Sequence, residues 1–202
     1  MDNKAFFKIG YGLYVLTAKD AERDNGCIIN TLMQVTSAPS PVGVIAVNKA
    51  NFTHDMITSS GQFNISALSV EAPFDLFKHF GFQTGKDTEK ILGYSGVKRS
   101  GNGLVYLSEN TNAYLSFKVS SAADFGKHTM FTADITDAKV LSDAESLTYA
   151  YYHKHIKPRP AAAQSKGYRC VICGYVYEGE PLPADFICPL CKHGASDFEK
   201  IT

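Results

Sequence analysis

Tryptophan is absent from all 202 residues, so the aromatic contacts of this protein must come mainly from its 11 tyrosines and 13 phenylalanines. Net charge is missing too, because 20 lysines and arginines offset 20 aspartates and glutamates. Nucleic acid and anionic membrane surfaces normally draw a basic excess, so neither is expected as a partner. No apolar run reaches the ~20 residues that a membrane-spanning helix needs. The opening Met1-Asp2-Asn3-Lys4 is polar, with no apolar signal core behind it. A cytoplasmic protein is therefore expected, with its thiols reduced and free to bind metal. Two nucleotide signatures are also lacking. No GxGxxG follows a strand pattern and no GxxxxGKS/T occurs, which excludes a Rossmann site and a Walker loop; Gly101-Asn102-Gly103 reads as a turn.

What is present is enough apolar sequence, 45% of the chain, for one good-sized core with a small appendix. Four of the five cysteines form two CxxC pairs, Cys170 with Cys173 and Cys188 with Cys191, fourteen residues apart. Two such knuckles can set four thiolates at the corners of a tetrahedron, which suits zinc or a single iron. The choice decides the function: tetrathiolate iron carries one electron, whereas zinc would make the segment a structural clip. A segment of about 35 residues buries too little surface to fold unaided, so the metal must supply much of its folding free energy. Gly174, after Cys173, lets the chain turn so that N–H groups face sulfur. Cys27 has no cysteine near it in sequence and reads as a buried bystander.

The run Tyr168-Arg-Cys-Val-Ile-Cys-Gly-Tyr-Val-Tyr177, then Cys188-Pro-Leu-Cys191, then Asp197-Phe-Glu199, resembles rubredoxin. The gap between knuckles is closer to the compact rubredoxin module at the end of rubrerythrin. The resemblance implies an iron ion held by Cys170, Cys173, Cys188 and Cys191. Two departures stand out: the family's buried indole is missing, leaving Tyr168, Tyr175, Tyr177, Phe186 and Phe198 to form the small core, and Lys192 stands where the second knuckle usually carries glycine.

Upstream, the stretch from His153 to Gly167 is rich in proline, alanine and cations and has no apolar period, as a semi-extended tether would. Three regions follow: residues 1–152, a linker over 153–166, and a metal module over 167–202. The first region predicts strands at Tyr11 to Ala18, Cys27 to Ser37, Val42 to Val47, Phe63 to Leu68, Leu104 to Leu107, Ala113 to Ser120 and Thr129 to Leu141. Helices are expected at Asn51 to Ser59, capped by Asn51 with Asp55 in the first turn, at Ala72 to Phe80, ended by Gly81, and at Asp143 to Tyr152. Many strands without a βαβ rhythm indicate a mainly β fold built on a closed barrel.

Small polar residues cluster at the predicted strand ends: Asn30-Thr31, Gln34-Val35-Thr36-Ser37, Asn48-Lys49-Ala50-Asn51-Phe52-Thr53 and Gln83-Thr84-Gly85-Lys86. Hydroxyls, N–H groups and a lysine near a helix N-terminus suit a phosphate, although each cluster alone is better explained as ordinary turn and capping chemistry. In this order, with Phe80-Gly-Phe-Gln-Thr-Gly-Lys-Asp87 and Gly126-Lys-His-Thr-Met-Phe131, they resemble the flavin reductase-like family over about Phe6 to Tyr152. That resemblance implies an FMN-binding split β-barrel. By it, Asn30, Thr31, Val35 and Thr36 border the flavin ring, Gln34 and Ser37 belong to the same cofactor-binding set, and Asn48, Lys49, Asn51, Thr53 and Lys86 meet the phosphate. His128 lies near the nicotinamide, in a run where Lys127 replaces an acidic residue of the family. His54 and His79, without such context, read as helix-surface or capping residues.

A reduced nicotinamide gives up two electrons as hydride while an iron centre takes one, a mismatch that flavin bridges. The expected route runs from NADH or NADPH through FMN to iron and then to an external acceptor, with the linker keeping the iron concentrated near the flavin. The two-part layout is similar to the high-molecular-weight rubredoxins of anaerobes, which implies a flavodiiron protein, reducing dioxygen or nitric oxide, as partner. It also implies a homodimer with flavin at the subunit interface. The other readings are a flavin reductase serving a monooxygenase, with a zinc ribbon as a clip, and a flavin-binding protein that is not an enzyme.

Overall fold

A computed structural model describes residues 5, 8–21, 23–158, 167–172, 174–189 and 193–201. Two units emerge, Met1–Ile156 and Lys157–Thr202. Nine strands belong to the first: β1 (Tyr14–Lys19), β2 (Asp24–Ile29), β3 (Leu32–Thr36), β4 (Val42–Asn48), β5 (Gln62–Leu68), β6 (Val97–Arg99), β7 (Val105–Leu107), β8 (Thr111–Phe125) and β9 (His128–Val140). Strands β6 and β7 form a small hairpin, and the other seven form one antiparallel sheet in the order β2-β1-β5-β8-β9-β4-β3. The two outermost strands, β2 and β3, are consecutive in the chain and separated only by Asn30 and Thr31. A sheet whose edges are two residues apart must curl into a barrel, and among the described residues no ladder closes the split between them.

The sequence predicts one strand from Cys27 to Ser37, and Thr31 breaks it. Its hydroxyl donates to the Ala46 carbonyl at 2.7 Å and accepts from the Ala46 N–H at 3.1 Å, so the chain leaves β1 and joins β4 at this residue. Strand β1 is buried on both faces, as period-two alternation allows. Leu16 and Ala18 point into the barrel with Ile45, Val47, Phe63, Ile65, Phe117 and Phe131, while Leu13 and Val15, on either side of its start, join an outer cluster. Phe63 and Phe117 are paired across the β5–β8 ladder, their rings stacked 4.6 Å apart.

Helix α1 (Phe52–Ser60) contributes Met56 and Ile57 to the barrel core and ends at Gly61, which takes φ +66° and donates to the Ile57 carbonyl. Helix α2 (Phe74–Gly81) lays Leu76, Phe77 and Phe80 on the outer cluster. The third expected helix is largely replaced. Only Tyr149–Tyr151 (α3) is α-helical, followed by a wider π-turn over Tyr152–Ile156. Residues 143–148 instead run along the strand ends: the Val70 N–H donates to the Glu145 carbonyl, Leu147 N–H to Leu68 and Leu13 N–H to Leu147. Barrel edge groups needing partners, and the burial of Leu147, outweigh local helix propensity. Tyr152 packs on Phe77 with ring centroids 4.5 Å apart, so the turn that the sequence assigns to the linker belongs to the first unit.

The second unit holds three antiparallel strands, β10 (Gly167–Cys170), β11 (Val176–Tyr177) and β12 (Phe198–Ile201), ordered β11-β10-β12. Phe186 lies 4.7 Å from Tyr177 and 5.3 Å from Phe198, forming the expected aromatic cluster. Among the described residues, no helix is long and apolar enough to cross a membrane.

Since Phe117 is 1% exposed and stacked in the barrel, Phe117→Ala leaves a cavity there. A loss of about 3–5 kcal/mol in unfolding free energy is expected, measurable by urea denaturation.

Candidate functional site

The β8–β9 hairpin carries its tip, Gly126-Lys127, onto the turn between β4 and α1. Gly126 takes φ +70°, and its N–H donates to Asp124 Oδ1 at 2.7 Å. Asn48 faces His128 across the β4–β9 ladder, the Lys49 N–H donates to the Lys127 carbonyl at 2.9 Å, and Lys49 Nζ donates to Asp124 Oδ2 at 2.6 Å. The Lys49 hydrogen bond, then that of Gly126, hold the Asp124 carboxyl below its ordinary range. Asn48 Oδ1 accepts from the Ala50 N–H, a local turn that leads into α1. Asn51 occupies the N-cap position, yet its side chain makes no capping bond. The first-turn N–H groups of α1 therefore lack that side-chain cap and face an anion-accepting end of the helix dipole.

Thr53 differs from expectation. It is 0% exposed, and its hydroxyl accepts from Asn25 Nδ2 at 2.9 Å, so it ties α1 to β2 and does not present itself to a phosphate. Lys86 is exposed on the long segment after α2, where its N–H donates to Thr84 Oγ1. That segment docks on β2: a Cβ at Gly85 would lie 2.4 Å from the Asn25 amide. Asn25 thus touches both the first turn of α1 and the Lys86 segment.

The remaining predicted residues lie along β3. Asn30 and Thr31 are half-buried at the Ala46 end of β4, two residues from Asn48, and the Thr31 hydroxyl is engaged by the Ala46 backbone. Gln34, Val35, Thr36 and Ser37 are exposed at the other end, where Gln34 pairs with Gly43 and Thr36 with Val42. Six residues of strand separate Val42 from Asn48, about 20 Å. Val35 falls at the register shift between Gln34 and Thr36 and is 52% exposed. The Thr36 hydroxyl donates to the Ser40 carbonyl and accepts from the Val42 N–H, holding the turn into β4. Asn30, Thr31, Asn48, Lys49, Asn51 and His128 therefore share one end of the β4 region, and Gln34 to Ser37 the other.

His128 is exposed at the start of β9. His54 is not a surface residue: its side chain is 12% exposed, Nε2 lies 2.9 Å from Thr129 Oγ1 and Nδ1 lies 3.0 Å from Asp55 Oδ1. His79 is half-buried: its Nε2–H donates to the Lys90 carbonyl at 2.7 Å and its ring stacks on Tyr94. Sequence reading missed Asp124, Asn25 and Lys90. For Asp124 a local signal exists, since Asp-Phe-Gly is a turn pattern; for Asn25 and Lys90 none does. A groove of about 860 Å³ begins at Phe52, edged by Arg23 and Arg99. Both cations are already paired, Arg23 with Glu89 at 2.9 Å and Arg99 with Asp24 at 2.7 Å.

In the second unit Cys170 and Cys188 are fully buried, while Cys173, Cys191 and Lys192 lie outside the described residues. With two of the four expected thiols outside them, the described residues alone gather no metal-holding cluster. The backbone around the two described thiols is pinned. The Cys170 N–H donates to the Tyr175 carbonyl, the Cys188 N–H donates to the His193 carbonyl at 2.8 Å, and Gly174, at φ +82°, donates to the Cys170 carbonyl and so closes the turn. Two buried thiols on rigid turns beside an aromatic cluster fit a thiolate-bound metal.

Comparison with known proteins agrees with both halves. The flavin reductase-like domain matches residues 6–159, and the rubredoxin-like domain of rubrerythrin matches residues 168–199. The high molecular weight rubredoxin of Moorella thermoacetica is 38% identical over the whole of both chains. The ferric-chelate reductase (NAD(P)H) of Archaeoglobus fulgidus is 40% identical over 76% of this chain and 89% of its own. Among solved structures, the NADH:FAD oxidoreductase of Streptomyces globisporus superposes with a TM-score of 0.64 on 71% of this chain and 83% of its own; at 19% identity it shows the shared fold.

A depressed folded-state pKa means that the Asp124–Lys49 pair adds stability above the unfolded carboxylate value of about 3.9 and loses it as pH falls through the lower folded value. The Gly126 amide resonance should accordingly titrate with a midpoint below about 3.9. In Asp124→Asn that titration disappears.

Proposed function

Because the chain belongs to the flavin reductase-like family and joins to that domain the rubredoxin-like domain found in the high molecular weight rubredoxins, we propose that it passes electrons from NADH or NADPH, through FMN, to a tetrathiolate iron and on to a protein acceptor. The observation that carries this reading is the pairing of both domains on one polypeptide, matched end to end by a relative of the same layout. Bound FMN would take a hydride and release electrons one at a time, which reconciles a two-electron donor with a one-electron metal. The relatives named as an NAD(P)H ferric-chelate reductase and an NADH:FAD oxidoreductase support a nicotinamide donor.

The chain's own residues divide the work. The uncapped first turn of α1, with Asn48, Lys49, Asn51 and Lys86, holds the phosphate. Asn30 and Thr31 border the ring at the Asn48 end of β4, Gln34, Val35, Thr36 and Ser37 extend the flavin-binding face along β3, and His128 at the hairpin tip orients the nicotinamide. Cys170, Cys173, Cys188 and Cys191 hold the iron. Met33 and Val35, 62% and 52% exposed on edge strand β3, support burial of this face against a second copy of the chain. A flavodiiron protein, reducing dioxygen or nitric oxide, is the acceptor that fits a rubredoxin-type donor in the cytoplasm.

The test is anaerobic purification followed by metal analysis and visible spectroscopy. One iron per chain is expected, together with flavin bands and ferric-thiolate charge-transfer bands, and NADH or NADPH should bleach the flavin and then the iron. In Cys188→Ser the iron bands should be lost while flavin bleaching persists. Equimolar zinc without charge-transfer absorption would reassign the second unit to a clip and the first to supplying reduced flavin elsewhere. Failure of either nicotinamide to bleach bound flavin would remove the hydride step.

A further inference from the structure

Lys90 is a charged residue that the function above does not use, yet it is 2% exposed. Among the described residues it forms no ion pair; its Nζ donates to two backbone carbonyls, Gly26 on β2 at 3.1 Å and Phe80 near the end of α2 at 3.0 Å. Its own carbonyl bonds His79 Nε2 on α2. Burial lowers the pKa of this ammonium, with the nearby Cys27 thiol acting against the shift. A methionine or leucine would fill the same volume without desolvating a charge, so the charge has to be accounted for by the geometry it imposes. That geometry is specific. The Phe80 carbonyl belongs to the negative end of a helix, where a cation is favoured, and Gly26 neighbours Asn25.

Asn25 and Gly26 form a common anchor. Asn25 bonds Thr53 in the first turn of α1 and lies against Gly85, immediately before Lys86, while its Oδ1 is buried without a hydrogen-bond partner. Four residues after Lys86, Lys90 fastens the same segment to Gly26. The segment between α2 and β6 has no regular secondary structure to fix it, so these two attachments set where Lys86 stands relative to α1.

We propose that Lys90 is a positioning residue for the phosphate end of the flavin site: by tying the Lys86 segment to β2 and α2 it brings Lys86 to the first turn of α1, and so makes the site prefer phosphorylated flavin to riboflavin. This rests on the FMN reading given above. The buried charge is also poorly screened by salt, so it adds to the positive potential of the segment it holds.

The test compares FMN and riboflavin affinities, by flavin fluorescence titration, for flavin-stripped parent protein and for Lys90→Met. FMN should bind the variant about tenfold or more weakly, with riboflavin changed by less than about twofold, since the loss is one of charge-assisted bonding around the phosphate. Lys90→Gln, which still donates to a carbonyl but lacks the charge, should fall between the two and decides the matter if the methionine variant does not fold. Equal weakening of both ligands would reduce Lys90 to a general structural role, and no change in either would remove its role altogether. If the parent binds neither ligand, it is the FMN reading that fails.

Discussion

The barrel depends on a short covalent constraint, the Asn30-Thr31 link between the two edges of a seven-stranded sheet. Among the described residues no ladder joins β2 to β3; the chain changes sheet partner within these two residues. Thr31 makes the change possible by replacing part of a backbone ladder with its side chain, donating to and accepting from Ala46. Closure gathers Leu16, Ile45, Phe63, Phe117 and Phe131 into one interior and leaves β1 buried on both faces. The polar residues around Asn48 and His128 are neighbours because β4 and β9 pair side by side in the sheet, although 80 positions separate them in the chain.

Much of this could be read from the sequence because local chemistry and local structure coincide there. Alternation along β4 reflects a strand with one face in the core, whereas β5 is buried on both faces. The two CxxC pairs announce a tetrathiolate metal site by their spacing, and the aromatics around them carry the resemblance that favours iron over zinc. Phe186 does gather Tyr177 and Phe198 in place of an indole. Where the sequence misled, a distant partner prevailed. Residues 143–148 have helical character but supply backbone groups to Leu13, Leu68 and Val70. Thr53 belongs to a polar run that suggests a ligand, and Asn25, 28 positions earlier, claims its hydroxyl. His54 lies on a helix that looks exposed until Thr129, 75 positions later, closes over it. Lys90 gave no local sign at all, since the carbonyl it reaches on β2 is 64 positions away.

The two units divide the physical problem of electron transfer between different kinds of order. The first unit owes its shape to a large apolar interior; the groups proposed to meet flavin are turns, a helix end without a side-chain cap and exposed side chains. The second has half-buried aromatics and two fully buried thiols, which is too little core for about 35 residues. On the reading proposed above, thiolate–metal bonds supply the rest of its order. One polypeptide would then contain a scaffold ordered by its apolar core and a scaffold ordered by its metal.

Strand β3 carries a further consequence. An edge with unpaired backbone groups and outward Met33 and Val35 is a template onto which another extended chain could add, the first step toward fibrous aggregates. The register shift at Val35 interrupts the regular spacing of donors and acceptors, and Pro39 and Pro41 follow directly with no N–H to offer. Growth of a β-ribbon along this edge is thereby limited to a few residues, so Met33 and Val35 can stay apolar without making the strand a nucleus for indiscriminate polymerisation.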